Sequence, residues 1–268
     1  MTQTSKPTQL AGLFPLLLAA CATTSGEAPE FGRAGLSADT GTTAYGTFEV
    51  EVGFEADPGD SKGVPLKLKY GNSEQTELYL DLSVYEKIDM PGGDGEGIGD
   101  LGLGVRHRFW EGSAGTSSAL EGRVKFPTGD EGEGTSTGKV DFFAAGMLTQ
   151  EFESLVLNGY FELGVLGDAT ADDTDVQRTL AISWSAPAAK GLGTFGELSQ
   201  VYSDELDPAA LLLGMFLPLS STTVFDFGVS FGLNGDAPGG VLFVGLTTNL
   251  GILGPQGPRR YEDSSPGN

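Results

Sequence analysis

Cysteine occurs once in the 268 residues, so no disulfide can form within the chain. Histidine also occurs once and tryptophan twice, which leaves little material for a histidine-built metal centre. Basic residues are scarce: 15 Lys and Arg stand against 37 Asp and Glu, a formal charge of −22. Such a balance repels phosphate and argues against a nucleic-acid partner. Outside residues 10–20, no apolar run approaches the ~20 residues that a membrane-spanning helix needs. A mean hydropathy of −0.07 is far too polar for a helical membrane protein. Glycine, by contrast, is abundant, with 42 residues, about twice its usual share of roughly 7%. What remains is an acidic, Gly-rich chain of many short segments.

The N-terminus reads as an address. Residues 1–9 are polar with Lys6 their only charge, and residues 10–20 (LAGLFPLLLAA) are apolar. That run is too short to span a bilayer as a helix but long enough for a secretion signal. It ends Leu18-Ala19-Ala20-Cys21, which resembles the bacterial lipobox: a branched residue, two small ones, then the cysteine whose thiol accepts the diacylglyceryl group. Residues 1–20 are therefore expected to be a lipoprotein-type signal peptide, and Cys21 the lipidated residue. Ala22 and Thr23 follow where an Asp would retain the protein, which by resemblance to proteobacterial sorting favours the outer membrane. Residues 21–43 have the composition of a flexible tether.

From Ala44 onward the period is two. Phe48, Val50, Val52 and Phe54 alternate with Glu49 and Glu51, and Leu66, Leu68 and Tyr70 with Lys67 and Lys69. Leu78, Leu80, Leu82 and Val84 oppose Glu77, Tyr79, Asp81 and Ser83; Leu103, Val105 and Phe109 oppose Gly104, Arg106 and Arg108. Leu120, Val124 and Phe126 are set against Glu121, Arg123 and Lys125. The pattern predicts strands over 44–54, 64–70, 77–85, 98–109 and 119–126, then near 139–149, 154–166, 176–185, 192–202, 209–217, 222–232 and 240–250. A helix would need period 3.6, which is absent.

Twelve amphipathic strands fit two architectures. A soluble sandwich or lipocalin-like barrel turns the apolar face inward; an outer-membrane barrel turns it out to lipid around a wet lumen. Three features favour the membrane version. Segments cluster at 9–12 residues, the span of a strand tilted about 45° across the hydrocarbon. The polar face mixes both signs of charge, as a cross-paired lumen would. Tyr45, Tyr70, Tyr85, Phe109, Trp110, Phe126 and Tyr202 sit near strand ends, like interfacial girdles. Connections also alternate: 72–76 is short, whereas 87–98, 127–138 and 167–175 are long and acidic, the asymmetry of periplasmic turns and outer loops.

The stretches 97–109 (GIGDLGLGVRHRF) and 121–130 (EGRVKFPTGD), with Gly138 after them, resemble a transporter-like outer-membrane β-barrel family named for phenol meta-pathway degradation. Residues 196–203 (GELSQVYS) and the last strand, 240–251 (GGVLFVGLTTNLG), are similar in place and spacing. The resemblance covers roughly 44–251, and the block 125–130 is its most specific part. It implies an outer-membrane barrel passing small, often hydrophobic compounds, with no catalytic residues to carry over. The chain departs from the family in its lipobox and in a polar tail after Leu250, where barrels usually end on an aromatic that the assembly machinery reads.

Other motifs are weak. Gly97-x-Gly99-x-x-Gly102 and Gly191-x-Gly193-x-x-Gly196 have dinucleotide spacing, but both run into strands, so no helix dipole faces a phosphate. The acidic loops 92–100 and 128–134 lack EF-hand spacing and read as solvated rather than Ca²⁺-binding. His107 shares parity with Leu103, Val105 and Phe109, on the lipid side beside Trp110, not in a cleft where a triad would need it. Glu49 and Glu51 sit one strand repeat apart, about 6–7 Å, a spacing compatible with glycoside hydrolysis but common among 37 acids. Residues 209–217 (AALLLGMFL) are apolar on both faces, as either a greasy lumen patch or a buried segment.

The expectation is an all-β protein, a single antiparallel up-and-down transmembrane barrel of about 12 strands over 44–251, with a polar tail at 252–268. It would lie in a bacterial outer membrane as a passive channel or uptake protein for small solutes, with no enzyme activity, cofactor or metal. Its partners would be outer-membrane lipid, the solute and the barrel-assembly machinery. The alternative is a soluble β-rich lipoprotein that binds a ligand or scaffolds the envelope. The lumen-lining candidates are Glu49, Glu51, Lys67, Lys69, Asp81, Arg106, Arg108, Glu121, Arg123 and Lys125. The lumen should be narrow and partly plugged by charge. Neutralising Arg106, Arg108, Arg123 and Lys125 should change ion preference without unfolding the barrel.

Overall fold

Alternating sequence becomes alternating strand faces. The computed structural model describes residues 35–252 apart from 58, 60, 90–92, 168–173, 189–190 and 205; Cys21, the signal segment and the tail lie outside the described residues. The strands are β1 (Thr47–Ala56), β2 (Lys62–Ser73), β3 (Thr76–Ile88), β4 (Gly95–Gly97), β5 (Leu101–Glu111), β6 (Thr116–Phe126), β7 (Asp141–Phe152), β8 (Leu155–Gly167), β9 (Thr174–Pro187), β10 (Gly193–Tyr202), β11 (Ala209–Pro218), β12 (Thr223–Gly232) and β13 (Val241–Ile252). All twelve expected strands are present. The additional β4 has only three residues, Gly95–Gly97, too short to show a period; it pairs with the outer end of β3.

Every long strand pairs antiparallel with its chain neighbour, β3 pairs with both β2 and β5, and β1 pairs with β13, so the twelve long strands close into a barrel. Closure leaves no open edge. It also brings the start of β1 and the end of β13 to one rim, where Thr47 lies opposite Ile252. On that rim the connections are two to five residues long, such as 74–75 and 153–154. On the other rim 127–140 and the acidic loops gather.

The apolar face points outward. Leu103, Val105, Leu120, Leu148, Ile182, Leu198, Leu213, Phe227, Leu242 and Val244 are all exposed, whereas Glu49, Glu51, Lys69, Glu77, Arg106 and Glu197 are buried. A soluble barrel would invert this, so the soluble lipoprotein alternative is overturned: a water-facing belt of Leu, Val, Ile and Phe around the whole circumference is not a soluble surface. Near the ends of the belt stand Phe109, Trp110 and Phe152 on the short-turn rim and Tyr85, Phe126, Tyr202 and Phe231 on the loop rim, all exposed. A register shift between Arg108 and Trp110 breaks strict alternation and turns Phe109 and Trp110 both outward.

The abundance of glycine has a packing cause. Large inward side chains lie flat across a glycine of the neighbouring strand: Tyr79 over Gly104, Phe143 over Gly164, Phe195 over Gly214, Phe216 over Gly193 and Phe243 over Gly228. A Cβ on Gly214 would stand inside contact distance of the Phe195 ring. Gly214→Val is expected to push that ring into the lumen and cost about 1–3 kcal/mol, read as a lower temperature of gel-mobility conversion. Gly122→Ala, whose Cβ meets nothing within 4 Å, is the neutral control.

A barrel hydrogen-bonded around its full circumference resists SDS until heated. Unboiled protein from the outer-membrane fraction is expected to migrate differently from boiled protein. Identical mobility would contradict the closed circuit.

Candidate functional site: a divided lumen

All ten lumen candidates fall on the inward parity of their strands; seven pair with one another, Arg108 and Lys125 pair with acids outside the set, and Lys67 has no carboxylate within 4.0 Å among the described residues. Lys69 Nζ reaches Glu49 Oε1 at 2.7 Å and also pairs with Glu51. Arg106 binds Glu121 through Nε and Nη2, each at 2.9 Å, and lies 4.0 Å from Glu77. Tyr79 donates its hydroxyl to the other oxygen of Glu121 at 2.6 Å. Arg123 stands 3.7 Å from Asp81 and 3.6 Å from Glu162; Lys125 bridges Asp100 at 3.2 Å and Asp141 at 2.7 Å. Arg108 lies 3.6 Å from Glu111 and donates to the Glu74 carbonyl at 3.0 Å.

Burial separates these cations into two kinds. The Arg106 side chain is 7% exposed, enclosed by its partners, whereas Arg108, Arg123 and Lys125 keep 24–26% of their surface open. Arg106 is therefore a brace rather than a free rung, and its neutralisation is set apart from that of the other three below.

The opposite wall, β10–β13, carries an apolar patch among buried Glu197, Ser199, Asp226 and Thr247. Phe195, Leu212 and Phe243 form a buried cluster with Phe216 packed against it, and Val224 is buried close by in β12. Residues 209–217, apolar on both faces, thus form β11, whose outer side meets lipid while Leu212 and Phe216 make the greasy lumen patch.

Between the walls runs the segment before β1. The structure differs here from the expected flexible tether over its last residues: 35–43 lie inside the barrel. Glu197 accepts hydrogen bonds from the backbone N–H of Leu36 at 3.0 Å and of Ser37 at 2.9 Å, and from the Ser37 hydroxyl. Ala38 packs on Ala119, Ala145, Met147, Tyr160 and Ala181. Thr40 bonds Thr149 and Ser117, Arg106 donates to the Gly41 carbonyl at 3.1 Å, and Glu77 accepts from Thr43 N and Oγ1 at 2.8 and 2.6 Å. The strap thus crosses from β3 to β10. It separates a cavity of about 490 Å³ on the short-turn side from one of about 420 Å³ on the loop side, and Gly35, Ser37, Ala38 and Arg106 line both.

Sequence reasoning missed Glu77, Asp141, Glu162 and Glu197 as lumenal partners. Parity already sets Glu77 on the polar face of its strand with Tyr79 and Asp81, and would equally have found Glu162, two residues after Tyr160. That Glu197 holds the strap required the third dimension. His107 points outward as expected, exposed and within 3.0 Å of the Thr76 hydroxyl.

A closed twelve-stranded barrel with a continuous apolar outer belt and a charged interior holding two cavities defines the class: an outer-membrane β-barrel. Among solved structures the chain is similar to an outer-membrane channel of Pseudomonas putida F1, with a TM-score of 0.63 at 11% identity, covering 80% of this chain and 98% of that one. It is similar also to the NanC porin and the KdgM porin, each with a TM-score of 0.56 at 8% identity, covering 75% of this chain and 98% of theirs. No family model matches the sequence, and no curated protein is similar to it. At these identities the likeness is one of fold.

Proposed function

We propose that the protein is an outer-membrane channel for uptake of small, partly apolar solutes, aromatic compounds among them, held in a narrow state by its own N-terminal strap. One observation carries it: the lumen sets a charged wall on β1–β8 against an apolar patch of Phe195, Leu212, Phe216, Val224 and Phe243, and leaves cavities of about 490 and 420 Å³ on either side of the strap. A side-chain-filled structural barrel would have no such space. A polar solute path would not present phenylalanines. Arg108, Arg123 and Lys125 set the ion preference along the charged wall. Cys21 carries the lipid anchor, the 252–268 tail is polar, and insertion runs through the barrel-assembly machinery.

The test is uptake into proteoliposomes. Neutral single-ring compounds should enter vesicles containing the protein faster than empty vesicles, and faster than sugars of equal mass. Equal entry with and without protein would remove the channel. The anchor is tested separately: labelled fatty acid should be incorporated by the native chain and lost on Cys21→Ser.

A further inference from the structure

On the channel reading, we infer that the loop-side cavity contains a subsite for the acidic group of a small aromatic acid, with Lys67 as its binding cation. The other cations considered on the charged wall each have a carboxylate partner within 4.0 Å: Lys69, Arg106, Arg108, Arg123 and Lys125. Among the described residues Lys67 has no carboxylate that close; its charge acts on Glu121 from farther off, and Glu121 is already bound by Arg106 and Tyr79. Its two cross-strand neighbours in register are acids, Glu51 on β1 and Asp81 on β3. Both are drawn away: Glu51 pairs with Lys69, and Asp81 turns over Gly102 toward Arg123. The Asp81 Oδ1 oxygen is closed off from the cavity.

The ammonium instead lies on an aromatic face, 4.5 Å from the centroid of the Tyr79 ring. That contact holds the charge in place while leaving its N–H donors, three in all, directed elsewhere. The ring itself is fixed, tethered by its hydroxyl to Glu121 and seated on Gly104. Lys67 lines the loop-side cavity together with Arg123, whose guanidinium lies 4.0 Å from the Phe143 ring centroid and makes only long pairings.

Three of the chamber's carboxylates have donors close by, and the Asp81 oxygen that has none is closed off from the cavity. Glu121 has Tyr79 and Arg106, Glu162 has Tyr160, and Asp141 has Lys125 and the Gly167 N–H. The group with capacity left that faces the cavity is a donor, Lys67, so the complementary ligand is an acceptor. Tyr79, Phe143 and Tyr160 add flat apolar surface, and about 420 Å³ is within the range of small-molecule pockets. An anion on a planar ring satisfies both features.

The experiment is calorimetric titration of the full-length protein in detergent with three probes of one shape: benzoate, benzamide and benzylammonium. Benzoate is expected to bind at least about tenfold more tightly than benzamide, which is ~1.4 kcal/mol, with benzylammonium weakest. Lys67→Met should erase the preference while leaving the heat-induced gel shift intact, and Lys67→Arg should keep it. Benzamide or benzylammonium binding as well as benzoate, a preference that survives Lys67→Met, or no binding by any probe would overturn the subsite. If neutral aromatics still enter proteoliposomes in that case, only the subsite fails; if they do not, the channel itself fails.

Discussion

Deleting residues 35–43 is expected to raise single-channel conductance several-fold in planar bilayers, because the two cavities then join into one lumen. The strap is finely balanced. Ordering its nine residues costs on the order of 14 kcal/mol. Six hydrogen bonds involving a charged group and two neutral ones return about the same. Glu197→Ala removes three of them at once, at about 3 kcal/mol or more, which multiplies the released population by about two orders of magnitude. The point variant should therefore show frequent open bursts, and the deletion a permanently open level. Gly71 offers an independent check from the barrel side. A Cβ there would collide with the Thr43 and Ala44 carbonyls, so Gly71→Ala should displace the strap without touching any of its side-chain partners. Unchanged conductance in all three variants would mean that the strap does not obstruct the path.

The second large effect concerns Arg106. Truncation to Ala leaves Glu121 and Glu77 buried without their cation, which costs about 3–5 kcal/mol, and also frees the Gly41 carbonyl. The temperature of gel-mobility conversion should fall steeply. Pairing Arg106→Met with Glu121→Gln should recover much of the loss, since no uncompensated charge then remains on that pair. Arg108→Gln, Arg123→Gln and Lys125→Gln, whose cations are open to water, should shift the reversal potential in a salt gradient with little change in stability. If Arg106→Ala were as stable as the native barrel, its burial by Glu121 and Glu77 would not be energetically real. The four cations that look alike in sequence thus separate into one enclosed brace and three that are open to water.

Much of this was legible in the chain. Alternation of Leu and Val with Glu, Lys and Arg set strand positions and inward parity, because a strand presents successive side chains to opposite faces whatever surrounds it. Strand length, loop asymmetry and aromatic ends chose the membrane architecture, because bilayer thickness imposes them from outside. Ala44 and Thr43, by contrast, carry no signal that the chain turns back into the lumen. The sequence 35–43 is small, polar and aperiodic, the composition of a tether, and it is ordered only because Glu197, Thr149, Arg106 and Glu77 converge on it from four different strands. The periodic pattern likewise made Arg106 and Arg123 equivalents. Register separated them: Arg106 stands directly opposite Glu121 in the β5–β6 pair, whereas Arg123 faces Gly104 and Phe143 and reaches acids only two strands away, on β3 and β8. Local physics determined which face each residue occupies; which partner it finds across the lumen depends on strand order and stagger, and those exist only once the barrel is closed.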